Sequence, residues 1–194
     1  MTAFFNESYR GIPPWDIGHP QPEFVRVANE GGIRGKVLDV GCGTGEHAIF
    51  FAGLGLKASG IDLAPLAIEK ARRKASQRGS KAEFVVGDAL HLERLDQRFD
   101  TVTDSGLFHV FSDPERELFV RSLGSALNAG GRYFMLCFSD REPADWGGPR
   151  RVSREEIRGA FSDRWTIEWI RAARFESTFH RDGGRALLSA ITMR

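Results

Sequence analysis

An excess of charge of either sign is missing from this chain. Lys and Arg number 27 against 26 Asp and Glu, a formal net charge of +1. No global field therefore recruits nucleic acid or an anionic membrane. Cysteine is scarce. Cys42 and Cys137 are the only two, too few for a disulfide framework, and both fall in apolar strand or turn contexts that suit a reducing cytosol. Tyrosine is as rare, and neither Tyr9 nor Tyr133 is followed four residues later by lysine, so a short-chain-dehydrogenase type of active site is absent. No apolar run approaches the length of a membrane span. The start, MTAFFNESYR, lacks a basic region followed by an apolar one. No repeat or low-complexity tract is present. A P-loop is missing too: GGIRGK at 31–36 is one residue short, lacks Ser or Thr, and precedes a strand. The expectation is a cytoplasmic protein, with no metal site, no membrane contact and no nucleic-acid partner. Its 194 residues suit one well-packed domain.

What is present is an alternation. Residues 1–22 read as an irregular arm, because GIPPWDIGHPQP holds four prolines and forms neither a regular helix nor a central strand. A short amphipathic helix follows from Pro22 to Gly31–Gly32. KVLDV (36–40), KASGID (57–62), AEFVVGD (82–88), FDTVTDS (99–105) and RYFMLCFS (132–139) read as strands. Helical patterns separate them. One is EHAIFFAGLG; another carries Leu66, Ile68, Ala71 and Ala75 on one face and ends at Gly79. A third starts at Asp113-Pro114-Glu115, has an apolar face of Leu118, Phe119, Leu123, Ala126 and Leu127, and ends at Gly130–Gly131. Ser153-x-x-Glu156 is a capping box opening one more helix. In the tail, WTIEWI is followed by ARFESTFH and ALLSAITMR, an antiparallel hairpin with RDGG between its arms. The basic run ARRKASQRGSK (71–81) reads as a solvated helix face. Alternation of this kind predicts an α/β parallel sheet with helices on both faces, made mixed by the hairpin. Ligands of such sheets sit outside the carboxyl ends of the strands, where strand order reverses.

The turn after the first strand lies there. Read from Gly43, G-T-G-E-H-A matches a dinucleotide fingerprint. Read from Gly41, directly after the strand, the third glycine position falls on Glu46 and the fingerprint fails. The Gly43 register leaves Gly41 and Cys42 without a role, and 194 residues leave little room for a second nucleotide half. Asp62 follows Gly41 by 21 residues, where an acid grips ribose hydroxyls of either kind of cofactor. Two further acids discriminate. Asp39 stands at an apolar strand end, a costly place for a carboxylate without partners, and Asp88 ends the third strand. A compact nucleoside with an amino-acid tail gives both a task.

DVGCGTG at 39–45, Asp62-Leu63 and Gly87-Asp88-Ala89 together resemble the class I S-adenosylmethionine-dependent methyltransferases. The resemblance covers roughly residues 20–194. It implies a Rossmann-like, seven-stranded mixed sheet with the last strand antiparallel, and S-adenosylhomocysteine as product. It also implies cofactor contacts at Asp39, Gly41, Gly43, Gly45, Asp62, Leu63, Asp88, Ala89 and Ser105. PPWDIGHPQP and FSDREPADWGGPRRVSREEIR resemble the small-molecule branch of thiopurine and thiol methyltransferase-like enzymes. That makes residues 1–21 a lid on a single domain of residues 22–194, with Trp15 and His19 candidates for contact with cofactor or acceptor. An indole face near a sulfonium offers cation–π stabilisation; the alternative is that Trp15 pins the arm. Asp62 has an alternative as a cap of the helical run beginning at Ala64, Asp88 as a cap of the turn that follows it, and Asp39 as a support of the glycine loop without direct contact.

After the fourth strand comes SGLFHV and no Asp/Asn/Ser-Pro-Pro-aromatic motif, which speaks against amino-methylation of nucleic-acid bases. His109 is the candidate general base, its ordinary pKa lying near neutrality; the alternative is that it lines the pocket or orders a hydrogen bond. Phe108, Phe111, Phe138 and Trp146 are either plain core or an aromatic slot for a planar acceptor, with Arg150 or Arg151 facing an anionic group or solvent. His47 and His91 read as helix or loop surface and His180 as part of the edge hairpin. The resulting expectation is methyl transfer to O, N or S of a small aromatic or heterocyclic molecule by a monomer or weak homodimer. A protein or RNA methyltransferase, a NAD(P)-binding reductase and a non-catalytic cofactor-binding subunit are the other readings.

Overall fold

The computed structural model describes residues 2–194. Seven strands form one sheet in the order β3-β2-β1-β4-β5-β7-β6. They are β1 (Lys36–Val40), β2 (Lys57–Asp62), β3 (Glu83–Val86), β4 (Phe99–Ser105), β5 (Leu127–Phe138), β6 (Trp165–Ser177) and β7 (His180–Met193). The first five run parallel, and β7 is antiparallel to both β5 and β6. Strand order reverses between β1 and β4, so the glycine turn after β1 opens at the switch point. Helices α1 (Thr2–Ser8), α2 (Pro22–Asn29), α3 (Glu46–Gly53), α4 (Pro65–Gln77), α5 (Asp113–Ala126) and α6 (Arg154–Ala160) complete the chain.

Side chains alternate across each strand, which divides the core into two layers. Tyr133, Met135 and Cys137 of β5 pack with Phe119 and Leu123 of α5 and Ile157 of α6. Phe134, Leu136 and Phe138 face the opposite way, toward Phe24 of α2, Phe51 of α3 and Ile68 of α4. Capping boxes open α5 at Ser112/Glu115 and α6 at Ser153/Glu156.

Several sequence expectations are corrected. Residues 2–8 of the arm are helical, with only the proline-rich part irregular. Ala67, not Leu66, takes the buried position on α4, and Leu66 turns to the arm. Leu118 is 39% exposed, while Phe119 is fully buried. Gly130–Gly131 does not end a helix: α5 stops at Ala126, and the glycines lie in an irregularity of β5 where pairing shifts from Phe99↔Leu127 to Thr101↔Arg132. WTIEWI and ARFES form one continuous β6. The hairpin turn is Thr178-Phe179, since Ser177 pairs with His180. RDGG lies inside β7, where Gly184 leaves room for Phe138: a Cβ there would fall 2.6 Å from its ring. The face of α5 makes a direct test. Phe119→Ala should lower stability in urea by about 3–5 kcal/mol, and Leu118→Ala by less than about 1 kcal/mol; comparable losses would mean that the helix is rotated.

Candidate active site

The turn Gly41–Gly45 needs glycine at its centre. Gly43 has φ +53°, and a Cβ there would meet the Tyr9 hydroxyl at 2.8 Å. The Gly43 N–H donates to Asp62 Oδ2 (2.8 Å) and the Ala64 N–H to Oδ1 (2.8 Å). One carboxylate thus joins the turn to the end of β2, and burial pushes its pKa up. Asp39 is 1% exposed. Its Oδ1 accepts from the Thr103 hydroxyl (2.6 Å), and its Oδ2 has no hydrogen-bond partner among the described residues. Asp88 caps a 3-10 turn over Ala89–Leu95, Oδ1 accepting from the Leu90 N–H (2.9 Å). Leu63 and Ser105 are half-buried beside these acids and Ala89 is buried. The carboxyl ends of β1 to β4 therefore gather Asp39, Asp62, Asp88 and Ser105, as expected from the sequence.

The arm reaches the same place. Trp15 Nε1 donates to Tyr9 Oη (2.9 Å), and the indole packs edge-on against Phe5. Tyr9, passed over in the sequence, is buried, and burial and then Asp62 raise its pKa. Lys70 Nζ donates to the Gly11 carbonyl (2.7 Å), and Lys74 Nζ to the Thr44 hydroxyl, which itself donates to Asp16. The basic face of α4 is thus partly the clamp that holds the arm, not only a solvated surface. His19 is not brought to the glycine turn. It is exposed and faces Glu176 at 3.6 Å, because the arm leaves along β6 at that point. His47, expected at the surface, is instead shielded beneath the arm, with its Nε2 accepting from the Gln21 N–H (3.0 Å).

After β4 the chain turns on Asp104, a fully buried acid that sequence reading passed over. Asp104 accepts from the Leu107 N–H (2.6 Å), the Phe108 N–H (2.9 Å) and the Tyr133 hydroxyl (2.7 Å), and burial pushes its pKa up to about 7. His109 is buried and stacks on Phe138, with centroids 5.3 Å apart and planes at 3°. Its Nδ1 accepts from the Phe138 N–H (3.1 Å), so its proton resides on Nε2. Burial, then the charges of Arg116 and Arg151, push its pKa down to about 3. At neutral pH this imidazole is uncharged and holds the Phe138 N–H, which matches the alternative that it orders a hydrogen bond better than the candidate base role.

The four aromatic residues expected to converge divide between the two core layers. Phe138 and Trp146 meet (5.4 Å), joined by Phe175 of β6, 4.8 Å from Phe138. Phe108 and Phe111 lie across the sheet against Phe161 and Phe119, because the turn after β4 carries them to the other face. Phe175 gave no signal in the sequence; the register of β6 on β7 puts its ring 3.0 Å from where a Cβ on Gly106 would be. Arg151 lies over Trp146 (4.1 Å) and Phe138 (5.5 Å), and the carbonyls of Pro143, Gly147 and Pro149 hold it. Arg150 instead pairs with Asp113 and Glu156, tying α5 to α6. His180 stands against Trp146 (4.8 Å), while His91 is exposed beside Glu93. Two open clefts, of about 250 and 450 Å³, lie at the amino ends of the strands around Asp100 and Gln97, away from these groups.

A sheet of this order, with an acid-lined glycine turn at its switch point, defines a Rossmann-like enzyme for a nucleoside cofactor. The comparisons specify which. Residues 37–131 match the family described as "Methyltransferase domain". A Mycobacteroides abscessus protein named 2-heptyl-1-hydroxyquinolin-4(1H)-one methyltransferase is 38% identical over 196 aligned positions, covering 95% of this chain and 86% of its own. A solved structure from work on conversion of a disulfide bond into a thioacetal group during echinomycin biosynthesis superposes with a TM-score of 0.91 at 38% identity. It covers 100% of this chain and 93% of that one. A Synechocystis magnesium protoporphyrin IX methyltransferase, solved with bound S-adenosylhomocysteine, shares the fold at a TM-score of 0.70 and 19% identity, over 89% of this chain and 81% of its own. The chain belongs to the S-adenosylmethionine-dependent methyltransferases. The reductase reading is set aside.

The buried Asp104 gives a pH signature. Its folded pKa, about 7, lies above the ordinary carboxylate value, so its contribution is fully present at low pH and is lost as pH rises toward 7. Asp104→Asn should remove that dependence: wild-type stability relative to the variant should fall by on the order of 2–3 kcal/mol between about pH 5 and pH 8. Parallel denaturation profiles would contradict an ionising Asp104.

Proposed function

We propose that this enzyme methylates an O, N or S atom of a small planar aromatic or heterocyclic acceptor, with residues 1–21 as the lid of one domain over 22–194. The observation that carries this reading is the buried aromatic cluster of Phe138, Phe175 and His109 beside Gly106, on the same side of the sheet as the acid-lined glycine turn. The name of the mycobacterial relative, a hydroxyquinolinone methyltransferase, supports the same acceptor class.

The cofactor-side residues fit S-adenosylmethionine. Asp39 offers a buried oxygen without a partner, and the glycines let the backbone approach. Asp39 and the turn would hold the amino-acid end and Asp62 the ribose hydroxyls. Asp88 would take the adenine amino group through its second oxygen, with Leu63, Ala89 and Ser105 lining the site. When bound, the cofactor supplies a methyl group already activated by its sulfonium. The chain's part is alignment, which supplies on the order of 7–11 kcal/mol. Phe138 and Phe175 hold the acceptor plane. Neutral His109 donates from Nε2 to an anionic acceptor atom, and Arg151 lends positive charge at the rim. An acceptor that arrives as an anion needs no side-chain base. Trp15, bonded to Tyr9 above the turn, closes the site to water. Near-neutral charge and this closed arm favour a small acceptor over protein or RNA. The same reading takes the enzyme as a cytoplasmic monomer or weak homodimer, free of membrane and nucleic-acid partners.

Titration calorimetry with S-adenosylhomocysteine, with NADH as control, tests the cofactor. Micromolar binding of the former alone is expected, weakened about 10- to 100-fold by Asp62→Ala; binding of NADH instead would reject the assignment. Removal of residues 1–18 should lower kcat by about tenfold or more with a small loss of stability, since a lid excludes water from the reacting atoms. An unchanged kcat in the truncated enzyme would rule the lid out.

A further inference from the structure

His47 stands on the first turn of α3, its ring between Phe24 (4.9 Å) and Phe51 (6.4 Å) and its side chain 12% exposed. The Gln21 N–H donates to Nε2 at 3.0 Å. A neutral imidazole that accepts on Nε2 carries its proton on Nδ1. That Nδ1 faces Asp39 Oδ2 at 3.5 Å, and no described residue gives this oxygen a formed hydrogen bond. Gln21 is buried, and its side-chain amide bonds in both directions to the backbone of Glu176: Nε2 donates to the carbonyl (2.9 Å) and Oε1 accepts from the N–H (2.9 Å). Groups in contact therefore run from the β6 hairpin, through the last residue of the arm and the imidazole, to the carboxylate beneath the glycine turn. The Gln21 N–H selects the imidazole tautomer that presents a donor to Asp39. A buried carboxylate oxygen is costly without such a partner.

We infer that His47 is a positioning residue for the cofactor site: its Nδ1–H orients the Asp39 carboxylate, and Gln21 makes that orientation depend on a docked arm. The inference rests on the methyltransferase reading, in which Asp39 holds the amino-acid end of the cofactor.

Two variants separate positioning from packing. His47→Asn keeps an amide N–H near the place of Nδ1 and loses the acceptor for Gln21. His47→Gln reaches toward Gln21 and loses the donor to Asp39. In titrations with S-adenosylhomocysteine, His47→Asn is expected to stay within about threefold of wild type and His47→Gln to bind about tenfold or more weakly, the loss of the one N–H that faces a buried carboxylate oxygen. The KM for S-adenosylmethionine should follow the same order while kcat at saturation changes little. Equal losses in both variants, or none in His47→Gln, would mean that the ring only fills space and would overturn the assignment. The ¹⁵N shifts of His47 in the wild-type protein decide the point if a variant fails to fold: an Nδ1–H tautomer supports it and an Nε2–H tautomer overturns it. Absence of S-adenosylhomocysteine binding by wild type would overturn the cofactor reading first, and this inference with it.

Discussion

The Asp62 carboxylate accepts the Gly43 N–H on one oxygen and the Ala64 N–H on the other, and most of the site is arranged around that pair of bonds. They set the height of the glycine turn over β2, and with it where the Tyr9 hydroxyl can rest. Tyr9 receives the Trp15 indole N–H, and so the arm is stacked on the turn through an aromatic pair rather than laid loosely across it. Lys70 and Lys74 secure the arm from α4, and Thr178, donating to the Pro14 carbonyl, secures it from the hairpin. An arm anchored this way is coupled to the turn it covers. Anything that moves Asp62 moves the floor and the cover together.

A second constraint governs the turn after β4. Asp104 receives two main-chain N–H groups and the Tyr133 hydroxyl, which closes the turn after β4 and sends Phe108 and Phe111 to one face of the sheet while His109 stays on the other. There the Phe138 N–H occupies the one ring nitrogen of His109 that could have taken a proton. The neutral ring thereby carries its proton on Nε2, with burial reinforcing the neutral state. On the proposed reading, such a site suits acceptors that bring their own negative charge.

The legible part of the molecule was the part written in local pattern. Strands β1, β2 and β4 were readable to the residue, because short apolar runs bounded by glycine or acid admit little else. The capping boxes at Ser112 and Ser153 and the ordered acids Asp39, Asp62 and Asp88 were equally plain. Reading failed where a position depends on a partner far along the chain. Leu118 and Phe119 are neighbours of equal apolarity, and only the docking angle of α5 selects Phe119. Gly183–Gly184 looked like a turn, yet Gly184 is there because Phe138 needs the space. Phe175 and His47 carried no signal, since one reaches the site by strand register and the other by the return of the arm.

By itself the sequence determined the α/β alternation, the glycine turn and the three acids, because period-2 runs, glycine backbone freedom and carboxylates at strand ends are consequences of residue type and spacing. Only the tertiary structure decided which aromatic rings gather beside Gly106, which histidine stands under the arm, and that the His109 proton resides on Nε2. Those properties depend on which backbone N–H happens to face a ring nitrogen, and on how much water the surrounding layers exclude, and neither is set until strands distant in sequence have paired.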